Sequence, residues 1–209
     1  VRTSIQLIEG LRDAGYEQLI TTPHLMLDLY PNNRQTIMRG YEKLARELEK
    51  RKIKIGLRAA AEYFLDDHFD SLLQKDEPLL TIKDNLVLVE FSFASAPLDY
   101  KEKLFNLQMK GYRPILAHPE RYAYWHQHPE KYDELREAGC LFQINLLSLV
   151  GYYGKGVAQT AAKLVKHRQI ELLGTDLHHH KHLIALSTQE LYQKANEIAT
   201  SIPLLNNQL

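Results

Sequence analysis

Residues 115–122 read Ile115-Leu116-Ala117-His118-Pro119-Glu120-Arg121-Tyr122. Apolar residues that stop abruptly at His-Pro describe a buried strand running out into a loop. The histidine at that boundary can offer a ring nitrogen to a metal. The arginine three residues on can fork two N–H donors onto a phosphate. Taken alone, the segment reads better as a capped strand end with a surface arginine. Its meaning comes from repetition, because the same arrangement returns along the chain.

Residues 18–22 form a short apolar strand that ends in Pro23-His24. Residues 54–61 end at Glu62, 86–89 end at Glu90, and 170–174 run into Thr175-Asp176-Leu177-His178. A further strand spans 140–145, and 79–82 is a minor strand or turn. Amphipathic helices are predicted between them. They cover 4–14 (capped by Thr3 or Ser4 and stopped at Gly15), 34–50, 66–74, 98–110, 129–139 and 155–166. One last helix over 184–199 precedes a tail that fades at Asn206-Asn207.

Apolar strands alternating with helices imply a parallel sheet wrapped by helices. Roughly six or seven strand–helix units favour a closed or nearly closed barrel over an open doubly wound sheet. In a parallel barrel the C-terminal strand ends converge on one face, where active sites are built. His24, Glu62, Glu90, His118, Asp176 and His178 all fall at such ends. Each has a plainer role taken singly: His24 in a loop, Glu62 on the surface, Glu90 paired with Arg58 or Arg113, Asp176 in a turn. Together they would be costly without partners, and metal ions would satisfy them. Imidazole and carboxylate without thiolate suit zinc, manganese or iron. Six ligands exceed what one zinc with an open position uses, so a cluster of two or three ions is expected. Asp176 and His178, two residues apart, point the same way from an extended segment. His179, His180 and His182 read as loop residues near the site, and His126 and His128 as solvated residues ahead of a helix.

Composition narrows the alternatives. The 209 residues suffice for one large domain. Lys+Arg 26 balances Asp+Glu 26, so no net field favours nucleic acid or an acidic membrane surface. No apolar run is long enough to span a bilayer, and no signal peptide is visible. Cys140 is the only cysteine, which excludes an internal disulfide framework and fits a reducing, cytoplasmic compartment. Cysteine-dependent phosphatases need an arginine six residues beyond the thiolate, where this chain has Leu146. There is no Gly-rich phosphate loop and no Gly-x-Ser-x-Gly elbow. The expected nucleophile is metal-bound water.

Thr22-Pro23-His24, Ala61-Glu62-Tyr63, Val89-Glu90-Phe91, residues 116–122, Ser148–Lys155 and Thr175-Asp176-Leu177-His178 together resemble the polymerase-and-histidinol-phosphatase (PHP) superfamily. Within it, they resemble the bacterial capsular-polysaccharide-type protein-tyrosine phosphatases. The resemblance implies a distorted (β/α)7 barrel, a single PHP domain over 1–209, and a cluster of up to three divalent ions, most often manganese. It implies hydrolysis of phosphotyrosine, directed at the tyrosine-rich tail of a polysaccharide-export kinase. It carries over His24, Glu62, Glu90, His118, Asp176 and His178 as ligands and Arg121 as a phosphate-binding arginine. Two departures stand out. Relatives open with a strand ending in His-x-His, followed by Pro-Gly and Asp-Asp-Gly; that strand is expected before Val1, so the domain is expected to be N-terminally incomplete. Relatives also place a second phosphate-binding arginine after His178, where this chain has His179-His180-Lys181-His182, so either Lys181 or a protonated histidine is expected to substitute, or the contact is lost. The competing expectations are a small-molecule phosphatase of the histidinol-phosphate type and a metal-poor module that binds without catalysis.

Overall fold

Strand and helix alternate along the computed structural model, which describes residues 1–209. The order is α1 (Arg2–Asp13), β1 (Gln18–Thr21), β2 (His24–Leu25), α2 (Arg34–Lys50), β3 (Gly56–Ala59), β4 (Glu62–Phe64), α3 (Asp67–Gln74), β5 (Leu86–Glu90) and α4 (Tyr100–Met109). It continues with β6 (Arg113–Ala117), α5 (Glu130–Glu137), β7 (Leu141–Asn145), α6 (Lys155–Lys166), β8 (Leu172–Gly174), α7 (His180–Leu186) and α8 (Gln189–Ser201). All strand pairings are parallel: β1 with β3, and β2-β4-β5-β6-β7-β8 in that order.

β1 and β2 are one strand interrupted at Thr22-Pro23, because proline has no N–H to give the ladder. Their neighbours β3 and β4 are interrupted opposite, at Ala60-Ala61. The gap is bridged by Ala60 N–H donating to Thr21 O at 2.9 Å and Glu62 N–H donating to Pro23 O at 3.1 Å. Each strand therefore lies beside the next in sequence. This is the order of a curling half-barrel, and it sets aside the doubly wound sheet. The edge strands, β1/β2 and β8, do not pair with each other.

Alternation along the strands makes two cores. Val87, Val89, Leu116, Phe142 and Ile144 belong to a cluster of 29 buried residues with the helices. Ala60, Leu88, Ile115, Leu141 and Leu172 form a smaller cluster on the other face, with Ile20 packed against it. One step of two residues further along, Ala60 gives way to Glu62 and Leu88 to Glu90. The carboxylates thus continue the inner apolar layer at its upper end.

Several expectations are corrected. Neither Glu62 nor His24 ends a strand; they open β4 and β2, in register with each other. α1 starts at Arg2 with no side-chain cap, leaving Thr3 and Ser4 inside its first turn. Of the two readings of 79–82, the strand does not form; the segment leads into a tight turn in which Ile82 N–H donates to Leu86 O at 2.8 Å. The last helix is two helices, since Ser187 Oγ and Thr188 Oγ1 donate to the carbonyls of Leu183 and Ala185 at 2.9 and 3.1 Å and compete with the helix ladder. The tail is docked by a 3₁₀ turn over Leu205–Gln208. Asn206 accepts from Leu173 N–H and donates to Leu173 O, both at 2.9 Å. Gly15 and Gly111 do end their helices, at φ 96° and 82°, where a side chain would be strained. No helix is long and apolar enough to cross a membrane.

Candidate active site

The strand ends deliver the site residues through two unusual backbone conformations. His118 leaves β6 at φ 37° and Asp176 follows β8 at φ 47°, both left-handed and uncommon for residues other than glycine. His118 is held there by its N–H donating to Gln143 O at 2.7 Å.

His24, Glu62, Glu90 and His118 form a closed ring of contacts. His24 Nδ1 lies 2.9 Å from Glu90 Oε1 and 3.6 Å from Glu62 Oε2. His118 Nε2 lies 3.1 Å from Glu62 Oε1 and 3.8 Å from Glu90 Oε2. Both glutamates are only 4% exposed. Side chains carried beside the two sheet edges meet here, where His24 Nε2 is 3.3 Å from His178 Nε2. His178 Nδ1 is 3.3 Å from Asp176 Oδ1. Asp176 Oδ2 accepts from Arg121 and from Asn145 Nδ2, each at 2.8 Å. The guanidinium of Arg121 lies between the rings of Phe93 and Tyr153, at 4.6 and 4.3 Å from their centroids. A cavity of about 300 Å³ opens over this floor.

Protonation follows from these contacts. The bond to Glu90, with help from the charge of Glu62, raises His24 to about 9 against the opposing effect of burial. Burial pulls His118 downward, but the bond to Glu62 and the nearby carboxylate charges leave it raised. Burial raises Glu90. Burial also pushes Asp176 upward, yet His118, His178, Arg121 and the Asn145 bond together hold it below its ordinary value.

The donor set fits a divalent metal. His24, Glu62 and Glu90 each offer a ligand atom, all within 4.8 Å of one another, and a divalent ion in place of the imidazole protons would satisfy the two buried carboxylates. The residues present are nitrogen and oxygen donors throughout. Cys140 lies elsewhere, beside a second cavity of about 200 Å³ at the N-terminal strand ends, where Arg136 is paired with Glu171. Burial pushes its thiol up to about 12.

All six candidate ligands and Arg121 therefore stand on one rim. Lys181 is exposed on α7 and does not line the cavity; His182 does, buried on the same helix. His126 is half-buried rather than fully solvated, with its Nε2 2.8 Å from Glu120 O. Sequence reasoning missed Asn145 and Glu120. Glu120 is fully buried, and its Oε1 accepts from Asn145 N–H at 2.9 Å and Ser148 Oγ at 2.6 Å. Its place between His118 and Arg121 was the available signal.

The sequence model of the family described as capsular polysaccharide synthesis, CpsB/CapC, matches residues 1–201. The chain belongs to the CpsB/CapC family. It is 28% identical over 203 residues to the tyrosine-protein phosphatase YwqE of Bacillus subtilis, covering 97% of this chain and 80% of that protein. It is 29% identical over 143 residues to the tyrosine-protein phosphatase CpsB of Streptococcus agalactiae, covering 68% and 58%. Among solved structures, a chain from the work on YwqE of Bacillus subtilis and CpsB of Streptococcus pneumoniae, described as unique metal-dependent tyrosine phosphatases, superimposes with a TM-score of 0.79. That match has 26% identity and covers 95% of this CpsB/CapC chain and 85% of the other.

Proposed function

We propose that this chain is a metal-dependent protein-tyrosine phosphatase. The observation that carries the reading is the convergence of His24, Glu62, Glu90, His118, Asp176 and His178 beside Arg121. The six would hold two or three divalent ions, manganese first, with iron or zinc as the other fits to nitrogen and oxygen donors. When bound, such ions supply Lewis acidity and an activated water to a phosphate ester.

The chain's own residues supply the rest. Arg121 spends one N–H on Asp176 and has no other side-chain hydrogen bond, so its remaining donors are free for a phosphoryl oxygen. The rings of Phe93 and Tyr153 fix the plane of the fork in advance, which lowers the cost of ordering it. Asn145 holds Asp176 from the opposite side to His178. A tyrosine leaving group departs as a phenolate of ordinary pKa near 10, about as acidic as a lysine ammonium, so little general acid is required. The site lies at an open rim, which suits a side chain presented by another protein.

The finer parts of the reading rest on the family resemblance. The barrel is of the (β/α)7 PHP type, in one domain over 1–209, and the edges left by β1/β2 and β8 are where its remaining strand, with a His-x-His end, would sit. The substrate is a phosphotyrosine protein, the tyrosine-rich tail of a polysaccharide-export kinase in the cytoplasm. Lys181 reaches the substrate only by a movement of α7. Bound metal and turnover of p-nitrophenyl phosphate test the central claim. A metal-loaded chain inert toward every phosphomonoester would refute it.

A further inference from the structure

Tyr122 follows Arg121 but stays out of the cavity, fully buried. Its ring is fixed by those of Phe91, Tyr124 and Trp125, with centroids 5.7, 5.6 and 5.8 Å away. Its hydroxyl accepts from Phe91 N–H at 2.9 Å and donates to Ala117 O at 3.1 Å. Phe91 directly follows Glu90, and Ala117 directly precedes His118. A single oxygen therefore joins the ends of two strands beside two candidate ligands.

That oxygen stands inside the sheet's own hydrogen-bond ladder. β5 and β6 pair in parallel, from Leu86 opposite Arg113 to Val89 opposite Leu116. Arg113 N–H donates to Asn85 O at 2.8 Å, which sets the phase of the ladder. Rungs of a parallel ladder recur every two residues along each strand, so the N–H groups of Val87 and Val89 serve the carbonyls of Arg113 and Ile115. The next rung would run from Phe91 N–H to Ala117 O. Tyr122 Oη occupies it, and the direct pairing stops there. On their other sides both strands go on bonding: Leu65 N–H donates to Glu90 O at 3.0 Å, and His118 N–H to Gln143 O at 2.7 Å. The parting is confined to β5 and β6.

We propose that Tyr122 is a positioning residue whose hydroxyl, inserted in the β5–β6 ladder, sets the spacing of Glu90 and His118 and through it the metal affinity of the site. The inference rests on the metal-dependent reading above. One oxygen between donor and acceptor holds the two backbones further apart than a direct N–H···O bond of about 2.9 Å would. At that spacing His118 Nε2 reaches Glu62 Oε1 at 3.1 Å and stands 3.8 Å from Glu90 Oε2. Without the hydroxyl, the rung either closes directly and draws the two ligand-bearing backbones together, or leaves a buried N–H and a buried carbonyl unpaired. Both outcomes move Glu90 relative to His118 while every ligand is still present.

Tyr122→Phe removes one oxygen and keeps the ring. The full chain would be titrated calorimetrically with manganese, and the visible spectrum of the cobalt-loaded chain recorded, because that spectrum follows ligand geometry. Tyr122→Phe should bind manganese roughly tenfold more weakly, the lower end of the effect of a group that orients ligands from behind, and its cobalt spectrum should shift. Tyr124→Phe loses the bond its hydroxyl donates to Ser92 O at 3.0 Å, beside the rung but outside it, and should keep the wild-type affinity and spectrum. Leu48→Ala opens a separate core between α1 and α2; it should lower the melting temperature at least as far as Tyr122→Phe and also keep both. A Tyr122→Phe chain with wild-type affinity and spectrum would overturn the proposal. So would equal losses in Leu48→Ala, which would trace them to stability, or in Tyr124→Phe, which would trace them to the loop. A wild type that binds no metal would overturn the metal-dependent reading and the proposal with it.

Discussion

Replacing Glu120 by alanine removes the acceptor of two buried donors. Asn145 N–H and Ser148 Oγ both donate to its Oε1, and all three residues are fully buried. A buried donor left unpaired costs about 1–3 kcal/mol, so the pair costs about 2–6 kcal/mol before any cavity is counted. Part of this is returned, because Glu120 Oε2 is itself buried without a partner. A net loss of about 3 kcal/mol follows from these opposing terms, which lowers the melting temperature by about 6–12 °C in a chain of this length. Glu120→Gln keeps an acceptor oxygen in place and should lie within about 1 kcal/mol of wild type. Urea unfolding, followed by the fluorescence of the single tryptophan, Trp125, measures both. An alanine variant as stable as the glutamine variant would show that the Glu120 carboxyl does not hold the loop after β7. If it does hold it, the alanine variant should also bind manganese more weakly, because Asn145 positions Asp176.

Chelation should abolish p-nitrophenyl phosphate turnover and added manganese should restore it; turnover that survives thorough chelation would refute metal dependence. Arg121→Lys should impair turnover, and Arg121→Ala more so, by roughly ten- to a thousandfold, with circular dichroism and metal content nearly unchanged. Cys140, buried and with its thiol pushed up to about 12, should resist alkylation at pH 8, where almost none of it is thiolate. Mass spectrometry of the iodoacetamide-treated native chain should show no adduct, and activity should be retained.

The fold was legible where one interaction decided the outcome. Residues 34–50 and 155–166 read as helices and are helices over those spans, because their apolar spacing is unambiguous. The strand ends at Glu90 and His118 were legible because an apolar run stopping at a charge is visible in one dimension. Break points set by side-chain competition were not. Nothing in the periodicity of residues 180–201 shows two hydroxyls taking helix carbonyls at Ser187 and Thr188. The candidate ligands could be listed from the sequence, but not their supports. Asn145 and Glu120 act across 25 residues of chain, and Phe93 and Tyr153 meet only at Arg121. Such contacts depend on how the sheet curls. Lys181 shows the limit of closeness in sequence: on α7 it is exposed and does not line the cavity.

The docked tail has a consequence for the sheet. The amide of Asn206 presents one acceptor and one donor to Leu173, the same two groups that a neighbouring peptide unit would present. β8 therefore has a false neighbour at its centre, built from a single side chain. Anything that would extend the sheet on that side must first evict it, whether a strand of the same protein or one from another molecule. Eviction exchanges two hydrogen bonds for two, so it is nearly even in bonding and is decided by what the newcomer buries. The edge is thus guarded against casual pairing while staying open to a strand that fits.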